Sequence, residues 1–362
     1  MRFHFHQRRV LTAVIGVAVV GALVSGCAAN EAGDRESDLS GTLDGAGSSA
    51  QSAAQEVWVS AFQRNNAGVT VNYEPSGSGA GREQFLAGGV AFGGSDAALS
   101  DEELAGDFVS CEPGTAGIDL PVYVSPLVLI FNVEGVDDLR LDAATIAGIF
   151  SNTITRWNDP AIQQLNDGAS LPDAAITAVH RSDDSGTTKN FADYLFQNVP
   201  SVWTAEPADT FPFAGGEAAQ GNAGIVNAVS DGVNTIGYVD ASRAGDLSVA
   251  ELKVGDDFVA YSAEAAAAII DESPLVERAN PNDIVVDVDR KSTAQGVYPL
   301  VLVSYLIACQ DYIDDEQGEL VREYILSVAS VEGQEAAAAD AGSAPLSDTF
   351  SELVLAAAAT IE

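Results

Sequence analysis

Val179-His180-Arg181-Ser182-Asp183-Asp184-Ser185-Gly186-Thr187-Thr188 closes an apolar run, Ala174 to Val179, and opens an amphipathic segment, Thr187 to Phe196. The reading is strand, tight polar turn, helix. A helix start leaves backbone N–H groups without partners, and its dipole favours negative charge there. Ser185, Gly186 and Thr187 put small, hydroxyl-rich backbone at that point, and Arg181 adds a planar fork of donors suited to an oxyanion. The plainer alternative is a capped helix beside a surface arginine.

Working outward, the same pattern recurs. Ala50 to Phe62 reads as a helix after Leu43-Asp44-Gly45-Ala46-Gly47-Ser48-Ser49. Val69 to Tyr73 alternates as a strand and runs into Ser76-Gly77-Ser78-Gly79-Ala80-Gly81, followed by a helix from Arg82 to Leu86. Val90 to Asp96 is a short apolar run ending in a glycine-rich polar turn. Gly/Ser-rich helix starts thus stand at Ser48–Ser49, Ser78–Gly79 and Ser185–Thr187, and three of them with one arginine are what loops converging on an anion require. In open α/β sheets such loops gather at the carboxyl ends of strands.

Two long β-branched runs, Leu120 to Val133 and Val297 to Ile307, bracket the middle of the chain and suggest two lobes joined by two crossovers. Helices are expected at Ala143 to Phe150, from Asp159-Pro160, at Asn222 to Ser230, Leu320 to Ala329 and Ser347 to Ile361. Thr235 to Val239 is a further strand.

The chain has 362 residues, 47% of them hydrophobic, and a formal charge of −37. That length allows about two domains with ample core. The acidity argues against nucleic-acid backbones and anionic membrane surfaces as partners. Met1 to Arg9 carries three arginines, and Val10 to Val24 is a weakly apolar run too short to span a bilayer and typical of a signal peptide. It ends in Val24-Ser25-Gly26-Cys27, which looks like a bacterial lipobox with Cys27 as the lipidated first residue. Cleavage there removes Arg2, Arg8 and Arg9 and no acid, taking −37 to −40. Ala28 to Ser40 is small, polar and acidic, a flexible stalk. Cys111 and Cys309 either pair or remain buried thiols, and in an oxidising compartment pairing is the simpler outcome.

Taken together, these segments resemble the phosphate-binding lipoprotein of bacterial phosphate ABC importers. The stretches that carry the resemblance are Asp44 to Ser49, Val71 to Gly81, Phe92 to Ser100, Ile149 to Asp159, Arg181 to Thr188 and Asn234 to Val239. It implies an α/β, two-lobed periplasmic-binding-protein fold, each lobe a central sheet flanked by helices, joined by two crossover strands. The expected organisation is signal peptide 1–26, lipidated stalk 27–40, lobe I from 41–123 and 297–362, and lobe II from 124–296. It implies an extracytoplasmic protein anchored through Cys27 to the outer face of the membrane. That protein would be monomeric, would have no cofactor or metal, and would deliver phosphate to permease subunits.

Carried over by position, Ser49 and the Ala50 backbone donate from the first loop and Ser78 from the second. Asp96 accepts a proton borne by the ligand, and Arg181, Ser185, Gly186 and Thr187 complete the shell. Asp183 holds the Arg181 fork. One departure stands out: relatives place Phe-Pro where this chain has Ala50-Gln51. A carboxylate facing an anion is useful only if the ligand keeps a hydrogen, since two unit charges about 4 Å apart repel by roughly 4 kcal/mol at an effective dielectric of 20. Asp96 would then accept from phosphate and repel sulfate. The plainer alternative for Asp96, and for Ser78, is a helix or turn cap.

An enzyme is the rival class. After signal removal one histidine remains, His180, and strand alternation points it away from the Arg181 face. Gly93-Gly94-Ser95-Asp96-Ala97 is one residue short of a nucleophile elbow, and there is no Gly-Lys-Ser/Thr loop. A surface phosphatase is therefore the weaker reading, and the same fold binding sulfate, arsenate or molybdate the nearer one.

Overall fold

Residues 37–362, described by a computed structural model, alternate strand and helix from the outset. The first part runs β1 (Ser40–Gly47), α1 (Ser52–Asn65), β2 (Gly68–Glu74), α2 (Ser78–Leu86), β3 (Phe92–Ser95), α3 (Asp101–Leu104) and β4 (Gly117–Asn132). The middle runs β5 (Arg140–Leu141), α4 (Ala143–Phe150), α5 (Pro160–Leu165), β6 (Thr177–Arg181), α6 (Gly186–Asn198), β7 (Glu217–Ala219), α7 (Gly221–Asp231), β8 (Thr235–Asp240), β9 (Ser248–Val249), β10 (Glu251–Val254), β11 (Asp257–Val259) and α8 (Ala263–Glu272). The chain closes with β12 (Val301–Cys309), α9 (Asp315–Ala329), α10 (Val331–Ala341) and α11 (Asp348–Ala358). The signal-peptide segment, Cys27 and the stalk up to residue 36 lie outside the described residues.

β4 joins the two halves. Gly117 to Pro126 pairs antiparallel with β12, and from Leu127 to Asn132 the strand pairs with β8 instead. The resulting nine-stranded sheet has the order β2-β1-β3-β12-β4-β8-β6-β7, with β9 also on β4. Fifteen consecutive residues of β4, Gly117 to Phe131, are buried. This is why the segment reads as an unbroken apolar run rather than an alternating one. Within each half the outer strands are parallel: β1 with β2 and β3, and β6 with β7 and β8. Their carboxyl ends therefore point the same way and feed the helix starts. The fold is the expected two-lobed α/β architecture.

Helices cover the sheet through large aromatics. Trp58 of α1 meets Tyr123 edge-on, and Tyr324 of α9 packs on Phe62 and Phe92. In the other half Phe191 of α6 stacks on Tyr238 of β8 at 4.2 Å, with Phe150 and Trp203 against its edges. Such contacts fix the rotation of α6 on the sheet, and with it the direction of its first turn.

Several boundaries differ from the sequence reading. The second long strand begins at Val301, not Val297; just before it the Arg290 guanidinium donates to the carbonyls of Pro299 (3.3 Å) and Val301 (2.5 Å), while the Leu300 carbonyl accepts from Leu127 N of β4 (2.8 Å). The glycine-rich stretch from Ser78 is already helix, so α2 starts four residues before Arg82. Helix α9 starts at Asp315 rather than Leu320, capped by Asp314. Cys111 and Cys309 form a disulfide, with Cα atoms 5.3 Å apart and a sequence separation of 198, so the free-thiol alternative does not occur.

Candidate anion-binding site

Four helix starts meet between the halves. Those of α1, α2 and α6 are expected here from the sequence; α7 is expected as a helix from Asn222 but not as part of the site. The approach is close enough that a Cβ on Gly186 would lie 2.8 Å from both Ser78 Oγ and Asp96 Cβ, so only glycine fits there. Gly47, at φ +140°, makes the corresponding turn out of β1, where a Cβ would overlap the Gly94 carbonyl.

Arg181 ends β6 with 2% of its surface exposed, which removes the surface-arginine alternative. Its Nε donates to Asp183 Oδ1 (2.8 Å) and its Nη2 to Oδ2 (2.5 Å), a bidentate fork that fixes the guanidinium plane. Its Nη1 reaches Thr187 Oγ1 at 3.4 Å. Asp183 also accepts from Gly221 N at the start of α7 (3.1 Å). Burial raises the Asp183 carboxyl, but the hydrogen bonds and charge of Arg181, with the Gly221 N–H, outweigh it and hold the group below the usual carboxylate range. His180, on the other face of β6, stacks on Phe211 at 4.0 Å and sits between the Arg181 and Gly215 carbonyls.

Ser185 caps α6, its hydroxyl accepting from Thr188 N (3.1 Å). Gly186 and Thr187 follow as the first two helical residues. Ser78 is not a cap: Gly77 precedes α2, and Ser78 Oγ instead accepts from Asp96 N at 3.2 Å. Ser49 Oγ accepts from both Asn222 N (3.2 Å) and Asn222 Nδ2 (3.0 Å). Each of these two serines is thus engaged as an acceptor and keeps its single hydrogen for another group. The Ala50 N–H donates to Ser48 Oγ at 3.1 Å.

Asp96 is 3% exposed and is not a cap either. Ser48 Oγ and Ser304 Oγ (2.6 Å) donate to Oδ1, and Thr187 Oγ1 donates to Oδ2 (2.8 Å). Asn190 Nδ2 of α6 also donates to the Asp96 carbonyl (2.6 Å). Asp96 therefore belongs to one half by sequence and to both by hydrogen bonding.

A second tie between the halves lies beside the site. Arg82 of α2 is held in its own half by Glu103 Oε1 (2.8 Å) and Ser95 Oγ (3.0 Å), and its Nη2 reaches Asp209 Oδ2 of the other half at 2.5 Å. Burial lowers the Arg82 guanidinium, but the charges of Asp209 and Glu103 outweigh it and raise the group. The Asp209 carbonyl also accepts from Ser185 N (3.0 Å), joining this ion pair to the start of α6.

A cavity of about 440 Å³ opens on the far side of Asp96 and Asn190, walled by Lys189, Arg278 and Arg290 among others. Size does not make it the anion locus. Arg290 is engaged by Asp193, Asn190 and two carbonyls, Arg278 donates to the Leu99 carbonyl, and the nearby start of α3 carries a complete capping box of Ser100 and Glu103. Ser49 and Ser78, each with its hydrogen uncommitted, Arg181 and the first turn of α6 are the groups that keep donor capacity.

Sequence reasoning gives no site role to Ser48, Gln51, Ser304, Asn190, Asn222, Arg82 or Asp209, although it places Ser48 at a helix start and Gln51 at the departure from relatives. Ser48 carried a usable signal, adjoining Ser49 in the same loop. The contacts that bring the others to the site span 94 or more positions, Asn190 to Asp96 being the shortest, and have no local pattern.

Residues 32–332 match the family model described as the PBP superfamily domain. The chain is 36% identical to phosphate-binding protein PstS 3 of Mycobacterium leprae (strain TN), over 96% of this chain and 98% of that protein. It is 34% identical to phosphate-binding protein PstS 3 of Mycobacterium tuberculosis (strain H37Rv), over 93% and 95%. A solved high-affinity periplasmic phosphate-binding protein, bound with phosphate at pH 8.5, shares the fold at a TM-score of 0.69 and 23% identity, covering 87% of this chain and 93% of that one.

Proposed function

Because this chain belongs to the PBP superfamily, we propose that it captures inorganic phosphate outside the cell for an ABC importer, as a binding protein and not an enzyme. The observation that carries the reading is Asp96, a buried carboxylate placed among hydroxyl donors and opposite the Arg181 guanidinium. A site made only of donors suits any oxyanion; one acceptor among them suits an oxyanion that keeps a hydrogen. The curated relatives, named as phosphate-binding proteins over nearly their whole length, support the same ligand.

In this reading Ser49, Ser78, Ser185, the backbone of Gly186 and Thr187, and the Arg181 fork donate to phosphate, the Ala50 N–H joins them as a donor shared with Ser48 Oγ, and Asp96 accepts the ligand's hydrogen. Asp183 keeps Arg181 in plane. Lobe I comprises 41–123 and 297–362, and lobe II 124–296. Among the described residues no helix is long and apolar enough to cross a membrane. Anchorage is assigned to a lipid on Cys27, with a monomer delivering to permease subunits.

Titration calorimetry of the soluble form, residues 28–362, with phosphate and with sulfate tests the ligand. Saturable phosphate binding with sulfate at least about a hundredfold weaker fits an acceptor-containing site, a gap of about 2.7 kcal/mol. Equal binding of both, or sulfate preference, overturns it. Cys27→Ser tests the anchor: the variant should appear in the medium, and its retention on the membrane would remove the lipid assignment.

A further inference from the structure

A buried chain of hydrogen bonds ends on Asp96, and its direction is fixed. Gln51 is fully buried, and its Nε2 donates to the Tyr305 carbonyl (2.9 Å) and to Ser304 Oγ (2.7 Å). A backbone carbonyl can only accept, so the amide cannot be turned round, and its Oε1 faces Gln55 Nε2 (2.9 Å). Gln55 Oε1 in turn accepts from the Tyr324 hydroxyl (2.6 Å). Ser304 Oγ, already an acceptor from Gln51, must send its own hydrogen to Asp96 Oδ1 (2.6 Å). A register shift between Ser304 and Tyr305 in the β12–β4 ladder lies at this point, where such irregularities re-aim side chains.

The other two hydroxyls on Asp96 are polarised in the same way. Ser48 Oγ accepts from the N–H groups of Ala50 (3.1 Å) and Gln51 (3.4 Å), and Thr187 Oγ1 accepts from Arg181, which has no lone pair to offer. A carboxylate has about four lone-pair positions. Two on Oδ1 and one on Oδ2 are filled by donors, leaving one on Oδ2 for an incoming hydrogen.

We propose that Gln51 is a specificity-determining residue, whose side-chain amide turns the Ser304 hydroxyl hydrogen onto Asp96 and so leaves that carboxylate one open acceptor position, on Oδ2. This deepens the phosphate reading and rests on it. A ligand oxygen that carries a hydrogen satisfies the last position; a fully deprotonated oxyanion puts lone pair against lone pair. Gln51 touches no ligand, so it is a positioning residue.

The test pairs a direct view with a binding measurement. Neutron diffraction from deuterated protein should place a deuteron on Ser304 Oγ along the line to Asp96 Oδ1, with the two Gln51 amide deuterons toward Ser304 Oγ and the Tyr305 carbonyl. A Ser304 deuteron directed at Gln51 overturns the proposal, whether or not the protein binds phosphate. Phosphate and sulfate affinities are then compared in wild type, Ser304→Ala and Gln51→Glu. Both variants should lose about tenfold or more of the phosphate-to-sulfate ratio, the loss expected for a hydrogen bond to a charged group.

For Gln51→Glu the deficit relative to wild type should shrink as pH falls and the new carboxyl gains the hydrogen it needs, which a packing defect would not do. Ratios within twofold of wild type in the folded variants overturn the role in specificity. Wild-type protein that binds neither anion overturns the phosphate reading instead.

Discussion

Replacing Asp209 by Asn asks whether a charge holds the two halves together around the ligand. Arg82 contacts Glu103 and Ser95 within its own half, so its pair with Asp209 is the contact that forms only when the halves meet. The two side chains are 8% and 17% exposed, so salt screens the pair weakly. A hydrogen bond to a charged group contributes about 1.5–3 kcal/mol and a neutral one about 0.5–1.5 kcal/mol. Asn keeps a neutral acceptor and leaves the Asp209 carbonyl on Ser185 N, so the loss should be about 1–2 kcal/mol, a factor of about five to thirty.

That loss belongs to opening, and stopped-flow release of phosphate should show koff raised by about that factor with kon within about twofold. Glu103→Gln, which disturbs Arg82 without crossing between halves, should lower thermal stability and change koff little. Unchanged koff in Asp209→Asn, or an effect confined to kon, would refute the reasoning.

Three further changes probe the site and its frame. Arg181→Ala should weaken phosphate binding by about 2–5 kcal/mol, the cost of removing one partner from a buried charge pair; calorimetry with unaltered affinity removes Arg181 from the site. Asp96→Asn should narrow the gap between phosphate and sulfate in a competition assay, and undiminished discrimination would end the acceptor argument. Asp240 is fully buried, and its Oδ2 has no partner. Burial pushes its carboxyl up to about 6 against hydrogen bonds from Ser242 and Tyr123. A raised carboxyl contributes stability that is fully present below its unfolded value and is lost as pH rises through about 6, here ~3 kcal/mol. Urea unfolding of Asp240→Asn against wild type should therefore shift in the variant's favour by about that much between pH 4 and 7.5; a constant difference would count against the assignment.

The local grammar of the chain was readable. The cap at Ser185, the periodicity after it, and the unbroken apolar length of β4 gave the jaw and the crossover, and three glycine- and serine-rich helix starts gave most of the donors. β1 was harder, because Ser-Gly-Thr-Leu-Asp-Gly-Ala-Gly does not alternate. α10, rich in alanine, carries too little apolar contrast between faces to stand out. The start of α7 has no serine or threonine cap to announce it, and Asn222 joins the site only through Ser49, 173 positions away. Gln51 reaches Ser304 across 253 positions. Hydrogen-bond polarity of this kind is set by three-dimensional neighbours and leaves no spacing to read.

The bond between Cys111 and Cys309 encloses all of β4, the second half and most of β12 in one covalent ring. A single proteolytic cut anywhere between residues 112 and 308 opens that ring without separating the pieces. Such a nicked molecule would run as one chain under denaturing, non-reducing conditions and as two fragments once a reductant is added. The crosslink thus turns one backbone cleavage from a severing event into a repairless but survivable scar.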